Sequence, residues 1–110
     1  MLKINIKNDI SITRGDSGEI TVILSKETGE AYEMAGGDKI ELTVRESVGA
    51  EDTEISKAVT GSNIITLEPS DTKTLPYGKY VYDIQLTTAD GKIYTVIPPT
   101  GFWVCEEVTE

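Results

Sequence analysis

Residues 79–97 constrain the fold more than any other stretch of the chain. The dipeptide Asp90-Gly91 at their centre favours the positive φ angles of a two-residue β-hairpin loop. On either side of it, apolar and polar residues alternate with the period of a β-strand. A two-residue loop pairs Leu86 with Thr95 and Ile84 with Ile97. The stretch therefore predicts an antiparallel hairpin that lies over a core.

The predicted register gives this hairpin one apolar face and one mixed face. The apolar face carries aromatic and aliphatic residues from both strands: Tyr80, Tyr82, Ile84, Leu86, Ile93 and Ile97. Tyr94 falls on the mixed face. Tyr80 also stands just after a sharp turn, where immunoglobulin-like sandwiches often use a tyrosine to bond back to the preceding corner. We expect Tyr80 to make such a bond.

The rest of the chain contains further short stretches with the alternation of strands and almost no helical signal. These stretches are residues 2–6, 10–12, 20–24, 40–45, 54–59, 63–67 and 101–108. One helical turn is predicted after Pro69, with Ser70 or Asp71 as its cap. Pro98-Pro99 is expected to break the ladder before the last strand.

Together these stretches predict an all-β fold. We expect an antiparallel, immunoglobulin-like β-sandwich of seven to eight short strands, with at most a helical turn near residues 70–74. A small closed barrel is the alternative. The 110 residues suffice for a single domain, residues 1–110, that buries a core without metals or disulfides.

Charge and cysteine content restrict the partners and the compartment. Ten basic and nineteen acidic residues give a formal net charge of −9, so nucleic acid and acidic membrane surfaces are not expected as partners. The single Cys105 cannot form an internal disulfide, which suits a reducing compartment. The first residues lack the apolar core of a signal peptide, and no apolar run is long enough to span a membrane. Synthesis in the cytoplasm is expected.

Two short motifs near the N-terminus match functional sites of other proteins. Residues 15–18, Gly-Asp-Ser-Gly, match the nucleophile segment of chymotrypsin-like proteases, but the chain has no histidine to accept the serine proton. Residues 14–16, Arg-Gly-Asp, spell the integrin-binding tripeptide, which occurs by chance too often to carry weight. Both motifs are interpreted as turns, and no catalytic residue is predicted.

No metal or cofactor is expected either. Histidine is absent and one cysteine is not a site, so only the acidic loop of Glu51, Asp52 and Glu54 could collect a calcium ion. Such loops are usually just solvated. Glycine-rich phosphate loops are absent. An aromatic strip for sugars could be formed by Tyr77, Tyr80, Tyr82, Tyr94 and Trp103, although tyrosines at alternating strand positions more often pack a core edge.

Several segments resemble small phage and prophage structural proteins. They are residues 12–16, 40–45 and 77–86, the Asp90-Gly91 turn, and the ending Val96-Ile97-Pro98-Pro99. These proteins carry an immunoglobulin-like module similar to the N-terminal domain of phage baseplate upper proteins. The resemblance implies a non-enzymatic virion structural or assembly module of the tail or baseplate kind. It would be made in the bacterial cytoplasm and incorporated into the virion.

The partners implied by the resemblance are other virion proteins or a second copy of the chain. The alternative function is a carbohydrate-binding or surface-adhesion module. Terminal strands have few sequence neighbours, so residues 2–6 and 102–108 are expected at or near sheet edges. Trp103 is of a type enriched at interface anchors, and we predict an interface that includes Trp103, Phe102 and Tyr94. The alternative is that Trp103 belongs to the core.

Overall fold

The computed structural model describes residues 2–4 and 8–106, and this part of the chain is mostly β-strand. The strands are β1 (Leu2–Ile4), β2 (Ile10–Thr13), β3 (Gly18–Thr21), β4 (Lys39–Arg45), β5 (Ile55–Thr60), β6 (Ile64–Leu67), β7 (Gly78–Thr87) and β8 (Ile93–Cys105). One short helix, α1 (Pro69–Thr72), lies between β6 and β7. The prediction of a β-rich chain with at most a helical turn is confirmed, because no segment has sustained helical periodicity.

The strands form two sheets that share one core. The larger sheet has six strands in the order β1-β2-β8-β7-β4-β5, and the smaller consists of β3 and β6. Alternate residues of β4 and β7 are buried, as a period of two requires. Buried residues from both sheets belong to a single hydrophobic cluster, which includes Ile20 of β3, Ile65 of β6 and Leu42 of β4.

One strand pair departs from the predicted antiparallel arrangement. β2 runs parallel to β8, with Ile10 opposite Phe102 and Ile12 opposite Val104. All other pairs within the two sheets are antiparallel. A parallel pair needs a long crossover, and here residues 14–92 supply it. Period-two patterns do not show which distant strands become neighbours, so the sequence could not reveal this pair.

The hairpin between β7 and β8 exists, but its loop is one residue longer than predicted. The Thr88 amide donates to the Lys92 carbonyl at 2.8 Å, and the Gly91 amide donates to the Thr88 carbonyl at 2.9 Å. Gly91 has a φ of 89°, as in a three-residue loop that ends in a bulge. Leu86 consequently pairs with Tyr94 and not with Thr95.

The longer loop also moves Tyr94 and Ile93 to the opposite faces from those predicted. Tyr94 lies opposite the buried Leu86, and Ile93 lies opposite Thr87. The predicted pair of Ile84 with Ile97 is nevertheless correct. The register shift between Ile84 and Gln85 restores it, and a second shift between Tyr82 and Ile84 moves the register one residue further, to the pair Tyr82–Thr100.

Pro98 and Pro99 interrupt the ladder between β7 and β8, as predicted, but they do not end the strand. β8 continues from Ile93 to Cys105, and the prolines fall in the bulge between the pairs Ile84–Ile97 and Tyr82–Thr100. A bulge leaves residues without ladder partners, so the missing proline amides cost little there.

Two local predictions, the hydrogen bond of Tyr80 and the cap of α1, have different outcomes. The Tyr80 hydroxyl donates a 2.7 Å hydrogen bond to the Pro76 carbonyl, which confirms the predicted corner bond. The predicted helix cap, Ser70 or Asp71, lies two or three residues too late. Glu68 is the N-cap of α1, and its amide donates to the Asp71 carboxylate at 2.7 Å. Pro69 occupies the first helical position, where no amide is needed.

Candidate functional site

The three residues predicted to form an interface lie in different environments. Phe102 is 0% exposed and packs edge-on against Tyr82, with ring centroids 6.1 Å apart, so its side chain belongs to the core. Trp103 is 41% exposed and Tyr94 is 50% exposed. Only the last two therefore have side chains that a partner can reach, and their role in an interface stays a prediction.

Tyr94 and Trp103 do not form one surface. They lie near opposite ends of β8, roughly 30 Å apart at the rise of an extended strand. They also lie on opposite faces: Tyr94 is paired with the buried Leu86, whereas Trp103 is paired with the exposed Lys79.

At Trp103 the last strand, β8, has a neighbouring strand on each side and is not an edge strand, contrary to the prediction. β2 pairs with residues 102–105 of β8 on one side, and β7 pairs with β8 on the other. Residues 107 and 108 of the predicted strand lie outside the described residues. β1 does lie at the edge of the larger sheet, as predicted, although residues 5 and 6 are also outside the described part.

The surroundings of Trp103 are polar. Lys79 Nζ lies 5.5 Å from the centre of the indole ring and above it, which is a cation–π contact. On the other neighbouring strand, Ser11 lies opposite Trp103. An isolated aromatic ring partly covered by a lysine offers little continuous apolar area.

The surroundings of Tyr94 form a groove of about 990 Å³. One wall is the hairpin tip, residues 88–92, with the start of β8. The other wall consists of Ile23 and Leu24, which follow β3, and of the next segment, residues 25–31, which we call the arm. The groove is lined by Ile23, Leu24, Ser25, Glu27, Tyr32, Asp38, Leu86, Thr88, Ala89, Asp90, Lys92, Tyr94, Thr95 and Val96.

The arm is a small hairpin that projects from the fold. Ser25 forms an isolated antiparallel bridge with Ala31, and the Lys26 amide donates to the Glu30 carbonyl at 2.8 Å. Gly29 closes the turn with a φ of 90°, which favours glycine. All residues of the arm are exposed.

The floor of the groove is organised by Asp38, a carboxylate that is only 2% exposed. It accepts hydrogen bonds from the Tyr32 hydroxyl at 2.6 Å, the Ala35 amide at 2.9 Å and the Ala89 amide at 2.9 Å. The Asp38 backbone carbonyl accepts from the Gly61 amide at 2.8 Å. Asp38 thereby fastens three separate loops to one point.

These bonds shift the titration of both side chains. The Tyr32 hydroxyl and then the two amides lower the pKa of Asp38, because they stabilise its charged form. The same hydrogen bond raises the pKa of Tyr32, because it favours the protonated phenol. At neutral pH the pair is thus a carboxylate bound to a neutral tyrosine, a stable structural arrangement.

The hairpin tip is held rigidly beside this floor. The Thr88 hydroxyl donates to the Asp90 carboxylate, which lowers the pKa of Asp90, and the Lys92 amide donates to the Thr88 hydroxyl at 3.0 Å. A Cβ on Gly37 would stand 2.9 Å from the Cβ of Ala89, so glycine allows the loop to approach the tip.

The groove combines an apolar wall with an acidic rim. Ile23 is 87% exposed and Tyr94 is 50% exposed, and both side chains line the groove. Among the exposed charged residues that line the groove, Glu27 and Asp90 are acidic and Lys92 is basic, and the arm also carries Glu30 and Lys26. Lys92 is itself 3.8 Å from the Asp90 carboxylate.

Sequence reasoning missed Asp38 and Tyr32, the residues that build the floor. The region before β4 looked like an irregular connection. Its one signal was an aspartate placed between two glycines and the apolar-alternating β4, a position where an Asp side chain often bonds to nearby amides. The partners across the fold, such as Ala89, had no local signal.

The motifs near the N-terminus are turns in the structure, as interpreted. The Asp16 amide donates to the Thr13 carbonyl at 3.0 Å, and the Gly15 amide donates to the Thr72 hydroxyl at 2.9 Å. The Arg14 guanidinium lies 4.2 Å from the centre of the Tyr77 ring. The tripeptide is therefore held half-buried against the segment that precedes β7.

The backbone of the acidic loop after β4 is held by the Arg45 side chain. Arg45 donates to the carbonyl oxygens of Ala50 at 3.2 Å and Glu51 at 2.8 Å. Within residues 2–4 and 8–106, no group of three or more acidic or cysteine side chains is placed to hold a metal ion. The described residues also contain no helix with the length and apolar character that a membrane span requires.

No protein-family model matches the chain, and no curated protein matches it.

Proposed function

We propose that the chain is a non-enzymatic structural or assembly module of a phage or prophage virion, and that it works through protein–protein contacts made at the groove end. The proposal joins the sequence resemblance to phage baseplate modules with the geometry around Tyr94. The observation that carries it is a pair of exposed apolar side chains, Ile23 and Tyr94, that line a groove of about 990 Å³.

The proposed fold is an immunoglobulin-like sandwich. The supporting observations are the strand order β8-β7-β4-β5 in one sheet, the pair β3-β6 in the other, and a single core cluster with members from both. The Tyr80–Pro76 hydrogen bond also corresponds to the tyrosine corner of such sandwiches. A scaffold of this kind presents loops and edges to partners while the core stays constant.

The absence of catalysis in the proposal has a chemical basis. The carboxylates with shifted pKa values, Asp38 and Asp90, are shifted downward, whereas the tyrosines with shifted values are shifted upward. Burial, helped by the Asp9 carboxylate, raises the pKa of Tyr82 to about 12. All these shifts move away from neutrality, whereas a general acid or base works best near the operating pH.

The second candidate is a sugar-binding or adhesion module, and the observation in its favour is the exposed ring of Trp103. A sugar would stack on an open ring face. Lys79 lies over the indole and would have to move aside. Binding on a glycan array that Trp103→Ala abolishes would establish this function in place of the first.

The contact proposal is tested by co-purification. Affinity-tagged chain is produced together with the proteins encoded at its own locus, and bound proteins are identified by mass spectrometry. We expect Tyr94→Ala to abolish capture of a virion protein and Tyr77→Ala, a similarly exposed tyrosine away from the groove, to retain it. Equal capture by the two variants would contradict a contact at the groove.

The virion proposal has its own test. Particles and tail intermediates of the encoding phage are purified, and the amount of the chain is measured against known tail proteins. We expect a fixed ratio to the tail proteins. A chain that is abundant in the cell lysate and missing from both fractions would contradict a role in the virion.

A further inference from the structure

We infer that the groove receives an extended, basic segment of a partner protein, which adds as a strand beside the first part of β8. This inference rests on the proposed function and specifies the partner and its binding mode. Three independent features of the groove carry it: an unpaired strand edge, an apolar wall and an acidic rim.

The strand edge comes from the unequal lengths of β2 and β8. β2 pairs only with residues 102–105 of β8, whereas β7 pairs with β8 from Ile93 onwards. Within the described ranges, no strand pairs with the other edge of residues 93–101. An unpaired edge offers amide and carbonyl groups to an incoming strand.

The usable part of this edge is the part that faces the groove. Further along, Pro98 and Pro99 have no amide hydrogen to donate to an incoming strand, and bulges twist β8 there. The Gly101 amide already donates to the Asp9 carboxylate at 3.1 Å. Residues 93–96 remain, and Tyr94, Thr95 and Val96 line the groove. The open edge is therefore short and coincides with the cavity.

The groove can also bind a side chain of the incoming strand. Leu24 and Leu86 lie at its base, and the rings of Tyr32 and Tyr94 contribute to its lining. Side chains of an added strand alternate in direction, so every second one points toward this lining. An aliphatic or aromatic residue would gain burial there.

The carboxylates of the groove favour a partner segment with basic residues. The exposed carboxylates Glu27 and Asp90 line the groove, Glu30 lies on the same arm as Glu27, and the Asp38 carboxylate at the floor already has its hydrogen bonds. Lysine or arginine residues that flank the apolar residue would meet these rim carboxylates. A second copy of the chain is disfavoured, because each copy carries a net charge of −9.

The test uses a displayed library of short random peptides selected against the purified chain. We expect enriched peptides to carry Lys or Arg beside an apolar residue and to bind less tightly as salt is raised. Reversing the rim charge, with Glu27→Lys and Glu30→Lys together, should weaken the enriched peptides by about tenfold or more. The control Glu51→Lys with Asp52→Lys makes the same change of charge on another exposed loop and should have little effect.

Strand addition is measured separately by amide hydrogen exchange. Exchange at residues 93–96 should slow when an enriched peptide binds, because their free amides acquire acceptors. The inference is overturned if no peptide is enriched, if acidic peptides are, if the two double variants bind alike, or if these amides exchange unchanged. Sedimentation that shows the groove closed by a second copy would also overturn it.

The two proposals fail in different ways. If a virion protein is captured and Tyr94→Ala abolishes the capture, yet rim-charge reversal has no effect, the contact function stands and the basic-strand inference is wrong. If basic peptides bind as expected and no virion protein depends on Tyr94, the strand site stands and the virion contact at the groove is wrong.

Discussion

The Tyr32 hydroxyl donates a 2.6 Å hydrogen bond to the Asp38 carboxylate, at the floor of the groove. Two amides complete the coordination of that carboxylate, and one of them, that of Ala89, belongs to the hairpin tip. The shape of the groove therefore depends on a single charged group that joins its own loop to the distant hairpin tip.

Asp38→Asn should lower the melting temperature, by about 5 °C or more. The amide group of asparagine would place a donor where two backbone amides and a hydroxyl now supply donors. Thermal unfolding followed by circular dichroism measures the change. Asp52→Asn, in an exposed loop, is the matched control and should leave the melting temperature nearly unchanged.

Acid should remove the contribution of Asp38 to stability. The folded pKa of Asp38 is lowered, so its contribution is present above the unfolded pKa of about 3.9 and is lost as pH falls through the folded pKa. Urea midpoints between neutral and strongly acidic pH measure this loss. We expect a smaller acid dependence in Asp38→Asn than in the unchanged chain, and identical slopes would contradict this role.

Alkali should act through the partner of Asp38. The raised pKa of Tyr32 means that its protonated form is favoured in the folded state, so stability is lost as pH rises above about 10 toward the folded pKa. Tyr32→Phe should reduce this part of the alkaline loss. The comparison is made by urea titration, and an unchanged alkaline dependence would contradict the role of the hydroxyl.

Ile84→Ala should reduce the free energy of unfolding by about 2–5 kcal/mol, through lost burial and a cavity. Ile84 is fully buried in β7 and faces the shared core. Gln85→Ala, at the next and exposed position, should cost well under 1 kcal/mol. Denaturant titration measures both values, and similar costs would mean that the alternation of β7 is wrong.

Tyr80→Phe should cost about 1 kcal/mol, since the ring stays in place and only the bond to the Pro76 carbonyl is lost. Tyr77→Phe is the control at an exposed tyrosine and should be nearly neutral. A larger effect at Tyr77 than at Tyr80 would contradict the corner bond as a stabilising contact.

Local patterns predicted what depends on local chemistry. The alternation in β4 and β7, the hairpin around Gly91 and the Tyr80 corner were all visible, because strand periodicity and turn residues express nearby backbone preferences. The length of the hairpin loop was not. Asp90-Gly91 fits both a two-residue loop and the end of a three-residue loop, and the choice sets which face Tyr94 occupies.

Contacts between segments far apart in the chain could not be predicted from local patterns. The pairing of β2 with β8 and the contact of Asp38 with Ala89 each link residues far apart in the chain. No period or spacing encodes such neighbours. Phe102 and Trp103 show the same limit: strand alternation placed them on opposite faces, but only the packing of β8 between β2 and β7 decided which one is buried.

Hydroxyl-radical footprinting of the chain, alone and in complex with its captured partner, tests contact at the groove most directly. Oxidation of exposed side chains is quantified by mass spectrometry. We expect protection of Tyr94 and Ile23 in the complex, and unchanged oxidation of Val48 and Tyr77, which are exposed apolar side chains away from the groove. Protection confined to Trp103, with the groove residues oxidised as in the free chain, would contradict the account.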